Sequence, residues 1–185
     1  MNDKEVQQIR DEEYHNYLTR VNSDREKASK NLARKILKKH GYFVYPEFVY
    51  TPTPSSSKAD IKKSSDGGDI LYVNLKRRRG RRSIDVVEVK YHETVKYWTC
   101  ENDYPYEMMM VDGCSQFDKK TVIPRAYMIF NPTLTNYAVI YVASTRKTWD
   151  RFKTFSINKY PKSFYRVPKR LAIFKEVPQS LKKEK

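Results

Sequence analysis

Apolar and polar positions alternate from Asp69 to Leu75 and again from Ile84 to Tyr91, and the two runs are joined by a compact basic stretch, KRRRGRR. Period-two alternation predicts strands, and two such runs around a short turn with a glycine predict a hairpin. In the first strand Asp69, Leu71, Val73 and Leu75 share one face, and Ile70, Tyr72 and Asn74 the other. In the second, Ile84, Val86, Glu88 and Lys90 share one face, and Asp85, Val87, Val89 and Tyr91 the other.

The pattern upstream has a helical period. Ser23 and Glu26 stand three apart as a capping box, apolar positions follow at Ala28, Leu32, Ala33, Ile36 and Leu37, and Gly41 comes after a basic last turn. This predicts a helix over 23–41. Residues 1–22 carry a looser helical spacing and predict a peripheral helix. Residues 42–50 read as a strand broken by Pro46, and 51–68 as a polar linker rich in Ser, Pro and Gly. Downstream, EMMMVDGCSQFDKK (107–120) predicts a helix interrupted near Gly113. AYMIFN and YAVIYVAS predict two core strands around PTLT, TRKTWDRFKTF (145–155) a second amphipathic helix, and RLAIF a short strand in a basic tail.

Length and charge then narrow the class. A chain of 185 residues predicts one domain, divided here into an N-terminal helical extension (1–22), a core (23–155) and a basic C-terminal extension (156–185). With 37 Lys and Arg against 22 Asp and Glu, the formal charge is +15, and 15 tyrosines are interleaved with the cations. That combination suits an acidic polymer, with phosphates neutralised and bases stacked. Tyr97, Trp98, Tyr104 and Tyr106 are candidate stacking residues, with packing on the sheet as the alternative. Cys100 and Cys114 form neither a C-x-x-C pair nor a zinc-like spacing with His15, His40 or His92. No run is apolar enough for a membrane span, so a cytoplasmic protein is expected.

The chemistry concentrates where the hairpin breaks its own pattern. Glu88 and Lys90 are neighbours on a strand otherwise built from valines, and charges in such a place need partners, a metal ion or an open cleft. A structural salt bridge is one reading. The other adds Asp69 on the adjacent strand: two carboxylates are hard oxygen ligands for Mg²⁺, and an amine beside them can orient or activate a water. With Asp69 and Glu88-x-Lys90 on paired strands, the sequence resembles the PD-(D/E)xK nuclease superfamily, of the kind carried by phages and mobile elements.

That resemblance implies an α/β, restriction-endonuclease-like fold, a central mixed sheet flanked by helices. It implies Asp69, Glu88 and Lys90 as catalytic residues and Asp69, Glu88 and the Val89 carbonyl as ligands of Mg²⁺, with Mn²⁺ able to substitute. The function implied is DNA hydrolysis, endonucleolytic, with RNA left open as substrate and a homodimer as one way to cut both strands. Gly68 stands where the motif often has proline, and Asp69 and Glu88 are far apart in sequence because of the basic turn. Glu26 falls within the apolar arc of its helix and is a further candidate, since several branches of the superfamily place a first-helix glutamate at the metal; a helix-capping role is the alternative. Lys76, Arg77, Arg78, Arg79, Arg81 and Arg82 are candidate phosphate contacts, or else a solvated turn. Without metal, the two carboxylates are expected to repel each other. The rival functions are a non-catalytic nucleic-acid-binding protein on the same fold and a viral structural or adaptor protein.

Overall fold

The computed structural model describes residues 24–46, 70–74, 84–91, 97–155 and 161–182. Helix α1 (Asp24–Lys39) opens with Asp24 and Glu26 and closes with Lys38 and Lys39, each sign placed where it opposes the helix dipole. Gly41 ends it at φ 81°, a backbone conformation open to glycine at little cost, while its N–H returns to the Lys38 carbonyl. The expected helix is therefore present, and its proposed cap Ser23 lies outside the described residues. So do the expected N-terminal helix 1–22, residues 47–50 and the linker 51–68.

Strands β1 (Tyr42–Val44), β2 (Ile70–Asn74) and β3 (Ile84–Tyr91) form an antiparallel meander. The hairpin partners face each other at Ile70 and Val87, Leu71 and Val86, and Tyr72 and Asp85. β5 (Ala126–Phe130) then lies parallel to β3, and β6 (Asn136–Tyr141) returns antiparallel to β5. β9 (Ile173–Glu176) adds to β6, completing a mixed six-stranded sheet in the order β1-β2-β3-β5-β6-β9. The fold is thus mixed α/β, as expected at that level.

Both faces of this sheet are covered, which is why its central strands are apolar almost throughout. Ala33, Ile36 and Leu37 of α1 pack with Val87, Val89, Met128 and Phe130 on one face. The other face, with Tyr127, Ile129, Ala138 and Ile140, packs with Met109, Val111, Tyr165 and Val167 of a second sheet. That sheet has the order β4-β8-β7, from β4 (Met108–Gly113), β8 (Pro161–Pro168) and β7 (Asp150–Phe155), all antiparallel.

Two expected helices are strands, and both belong to this second sheet. Residues 107–120 were expected to be helical, but Met109 and Val111 are buried while Met110 between them is exposed, the period of a strand. Only Cys114–Phe117 (α2) is helical there. Within 145–155, Val142–Thr145 (α3) and a 3₁₀ turn at Arg146–Thr148 are followed by β7. The spacing of Trp149, Phe152 and Phe155 fits a helix as well as a strand; pairing with β8, where Arg166 lies 4.4 Å over the Phe152 ring and bonds Asp150, selects the strand. A sheet therefore covers the face for which a second long helix was expected. The segment from 156 onward supplies β8, β9 and the short helix α4 (Gln179–Lys182) within its described part.

A candidate active site at the seam of the two sheets

β3 has the antiparallel β2 on one side and the parallel β5 on the other, and so sits where the meander joins the rest of the sheet. Its Glu88 faces Tyr127 of β5 and its Lys90 faces Ile129, so both side chains project toward the second sheet. Here the expected adjacency holds: Lys90 Nζ donates to Glu88 Oε1 at 3.2 Å. Glu88 is 8 % exposed, so an unpaired charge there would cost several kcal/mol.

Two residues that the sequence pattern did not single out complete the cluster. Asp112, 5 % exposed, faces both ammonium groups, with Lys90 Nζ 3.4 Å from Oδ1 and Lys120 Nζ 3.5 Å from Oδ2. Lys120 Nζ also reaches Glu88 Oε2 at 3.1 Å. Among the described residues, two carboxylates and two ammoniums thus alternate around a square whose charges cancel.

The chain folds locally to make this possible. Between Met110 and Asp112 the pairing with β8 shifts register, a bulge that turns Val111 and Asp112 inward in succession where strict alternation would bury only one. The α2 turn then reverses the chain. Asp118 N–H bonds the Cys114 carbonyl and Lys120 N–H the Phe117 carbonyl, which brings Lys120 back over Asp112. Asp118 is tied in turn to the second sheet, accepting from Tyr165 Oη at 2.8 Å and from Arg151 at 3.0 Å.

The two carboxylates are not equivalent. Asp112 Oδ1 accepts the Gly113 N–H at 2.9 Å and Oδ2 the Tyr127 hydroxyl at 2.8 Å, in addition to its two lysines. Glu88 faces the lysines without such anchors among the described residues. As a donor set for a divalent cation, Glu88 fits: its oxygens can exchange an ammonium for a metal without losing a neutral hydrogen bond. The Asp112 oxygens are already committed. No group of three or more His, Cys, Asp and Glu side chains gathers among the described residues.

Asp69 and Lys76, Arg77, Arg78, Arg79, Arg81 and Arg82 lie outside the described residues. Glu26 is carried on α1, which packs on the opposite face from Glu88, and its carboxylate pairs with Lys30 one turn on at 3.5 Å. Of the candidate stacking aromatics, Trp98 and Tyr104 are buried in the core, their rings edge-on at 5.6 Å, and are closed to a ligand; burial pushes the Tyr104 phenol up to about 12. Tyr97 and Tyr106 are exposed. No helix among the described residues is long and apolar enough to cross a membrane. Comparison with known proteins gave no match to a family model, a curated protein or a solved structure.

A signal for Asp112 was present in the sequence. An aspartate followed by glycine after the apolar run MMMV is a charged residue at the end of a buried segment, the same anomaly that marks Glu88. Lys120 had no such mark, since it sits among polar residues.

Proposed function

We propose that the chain is an Mg²⁺-dependent nuclease that hydrolyses phosphodiester bonds of DNA, endonucleolytically, with Glu88 and Lys90 at the reacting centre and Asp69 as the second acid. The observation that carries this reading is the pair formed by buried Glu88 and half-buried Lys90, 3.2 Å apart on a strand with the antiparallel β2 on one side and the parallel β5 on the other. The order of α1, β1, β2 and β3, with β5 beside β3 in a mixed sheet, supports a restriction-endonuclease-like core in its first half, while a second sheet stands where that core has its second helix. Asp69 immediately precedes β2 in the sequence, and β2 is the antiparallel partner of the strand that carries Glu88. The +15 charge suits a polyanionic substrate.

In this reading Glu88 and Asp69, with the Val89 carbonyl, would hold the metal, which would supply Lewis acidity toward the phosphoryl group. Glu88 would then exchange its contact with Lys90 for the cation. The Lys90 ammonium, still near Asp112, orients the attacking water or meets charge developing on the phosphate. One observation favours a second reading: both Glu88 oxygens already face ammoniums, as in a purely structural cluster, which suits a nucleic-acid-binding protein without catalysis.

Incubating purified protein with supercoiled plasmid, with and without Mg²⁺ or Mn²⁺, beside Lys90→Ala, separates the two. The nuclease produces nicked or linear DNA only with metal, and the variant loses most of that activity. Salt-sensitive DNA binding with no cleavage in either metal selects the second reading.

A further inference from the structure

We infer that Asp112 and Lys120 belong to the functional machinery: Asp112 is the positioning residue that fixes both lysines, and Lys120 is a second cation that meets the phosphodiester beside Lys90. The inference rests on the proposed phosphodiester-cleaving reading and assigns roles within that same site.

The division follows from the unequal anchoring of the two carboxylates. Four donors converge on Asp112: the Gly113 N–H, the Tyr127 hydroxyl and the ammoniums of Lys90 and Lys120. A carboxylate held from both sides by neutral donors at 2.8 and 2.9 Å does not swing, and any cation that leaves Glu88 stays tethered to it. Were Glu88 to ligate a metal ion, Lys120 would lose its 3.1 Å partner and keep the 3.5 Å pairing with Asp112. An ammonium with one carboxylate partner in place of two has N–H donors to spare, and a phosphate oxygen is the acceptor at hand. A bulge that turns two consecutive side chains inward is also more than core packing needs; its effect is to deliver Asp112 to the lysines.

Three measurements test the assignment, two of them free of any activity readout. Mn²⁺ binding followed by electron paramagnetic resonance, without nucleic acid, should weaken roughly 100-fold or more in Glu88→Gln and about 10-fold or less in Asp112→Asn, as for an outer-shell group. Equal losses would make Asp112 a ligand and overturn its positioning role. Duplex binding in Ca²⁺ across a salt series should show Lys120→Met flattening the slope of log affinity against log salt by about 0.9, the equivalent of one phosphate, with Lys120→Arg keeping the parental slope. An unchanged slope in Lys120→Met would reduce Lys120 to a structural ion pair. Tyr127→Phe, which removes one anchor of Asp112 without touching a charge, keeps the test open if Asp112→Asn does not fold. It should lower kcat about 10-fold with KM unchanged, a loss of positioning; parental kcat would refute it. If the parent protein never cuts with either metal, the nuclease reading fails, while the Mn²⁺ and salt-slope results still decide the roles of Asp112 and Lys120.

Discussion

Replacing Glu88 by glutamine exchanges one carboxylate oxygen for an NH₂ group and takes the charge of the described cluster from zero to positive, and the structure sets the sign of the result. The sequence predicts relief, from repulsion between Glu88 and Asp69, which lies outside the described residues. The described neighbours of Glu88 act the other way: Glu88 is 8 % exposed and lies 3.2 and 3.1 Å from the ammoniums of Lys90 and Lys120. Among the described members of the cluster, glutamine leaves two cations facing one anion. Removing one partner of a fully buried pair costs about 3–5 kcal/mol. Lys90 retains 28 % side-chain exposure and can recruit water, so about 2–3 kcal/mol is the better figure here. At roughly 2–4 °C per kcal/mol for a domain of this size, the midpoint should fall by about 4–12 °C. Thermal unfolding by circular dichroism in chelator-treated buffer measures this directly. The double variant Glu88→Gln/Lys120→Met, which restores neutrality, should recover part of the loss. In the parent, added Mg²⁺ should raise the midpoint through preferential binding to the folded state, and in Glu88→Gln it should not. A Glu88→Gln midpoint at or above the parent's, in chelator, would show that repulsion dominates and that the square of charges is not a stabilising arrangement.

Lys90→Ala should lower kcat by about 10²–10⁴-fold while duplex affinity in Ca²⁺ stays near parental, and a defect confined to binding would make Lys90 a phosphate contact. Substituting three of Arg77, Arg78, Arg79, Arg81 and Arg82 by alanine should weaken binding to unrelated duplexes equally and flatten the salt slope by roughly 0.9 for each phosphate no longer neutralised; a parental slope would make the run a solvated turn. Asp103 is subject to burial, which raises its pKa, but N–H bonds from Cys100 and Thr99 and the Thr99 hydroxyl outweigh that and hold it down to about 2. A depressed folded-state value stabilises the fold above the ordinary carboxylate range, so stability should decline as pH falls from about 4 through 2, and Asp103→Asn should lose that part of the acid dependence. Gly41→Ala, at φ 81°, should cost about 1 kcal/mol by chemical denaturation.

What the sequence made legible followed from local periodicity. The helix through Leu37, the Ile70-Val87 hairpin and the strands at Ala126–Phe130 and Asn136–Tyr141 each bury a face that their own pattern announces. The Glu88-Lys90 pair was legible because charge on a valine strand is costly. The second sheet was not, since MMMV and WDRF satisfy two periods and the choice is made by β8, which lies far along the chain. Asp112 and Lys120 were missed for the same reason: a bulge and a turn after a misassigned strand decide where they point. Trp98 and Tyr104 were offered as ligand contacts because nothing local distinguishes a stacking ring from a core ring.

The dependence of β4 on β8 also has a meaning during synthesis. By Lys120, a ribosome has made all four charged members of the cluster. The strand that holds β4 in the second sheet, and the Tyr165 hydroxyl that fastens Asp118 beside Lys120, are made only with Pro161–Pro168. Until then Asp112 has no ladder to fix its bulge. Lys90 and Lys120 then lack their shared anchor, so under the nuclease proposed above the centre would assemble only late in synthesis, which would keep the polynucleotides that surround translation out of reach of an unfinished chain.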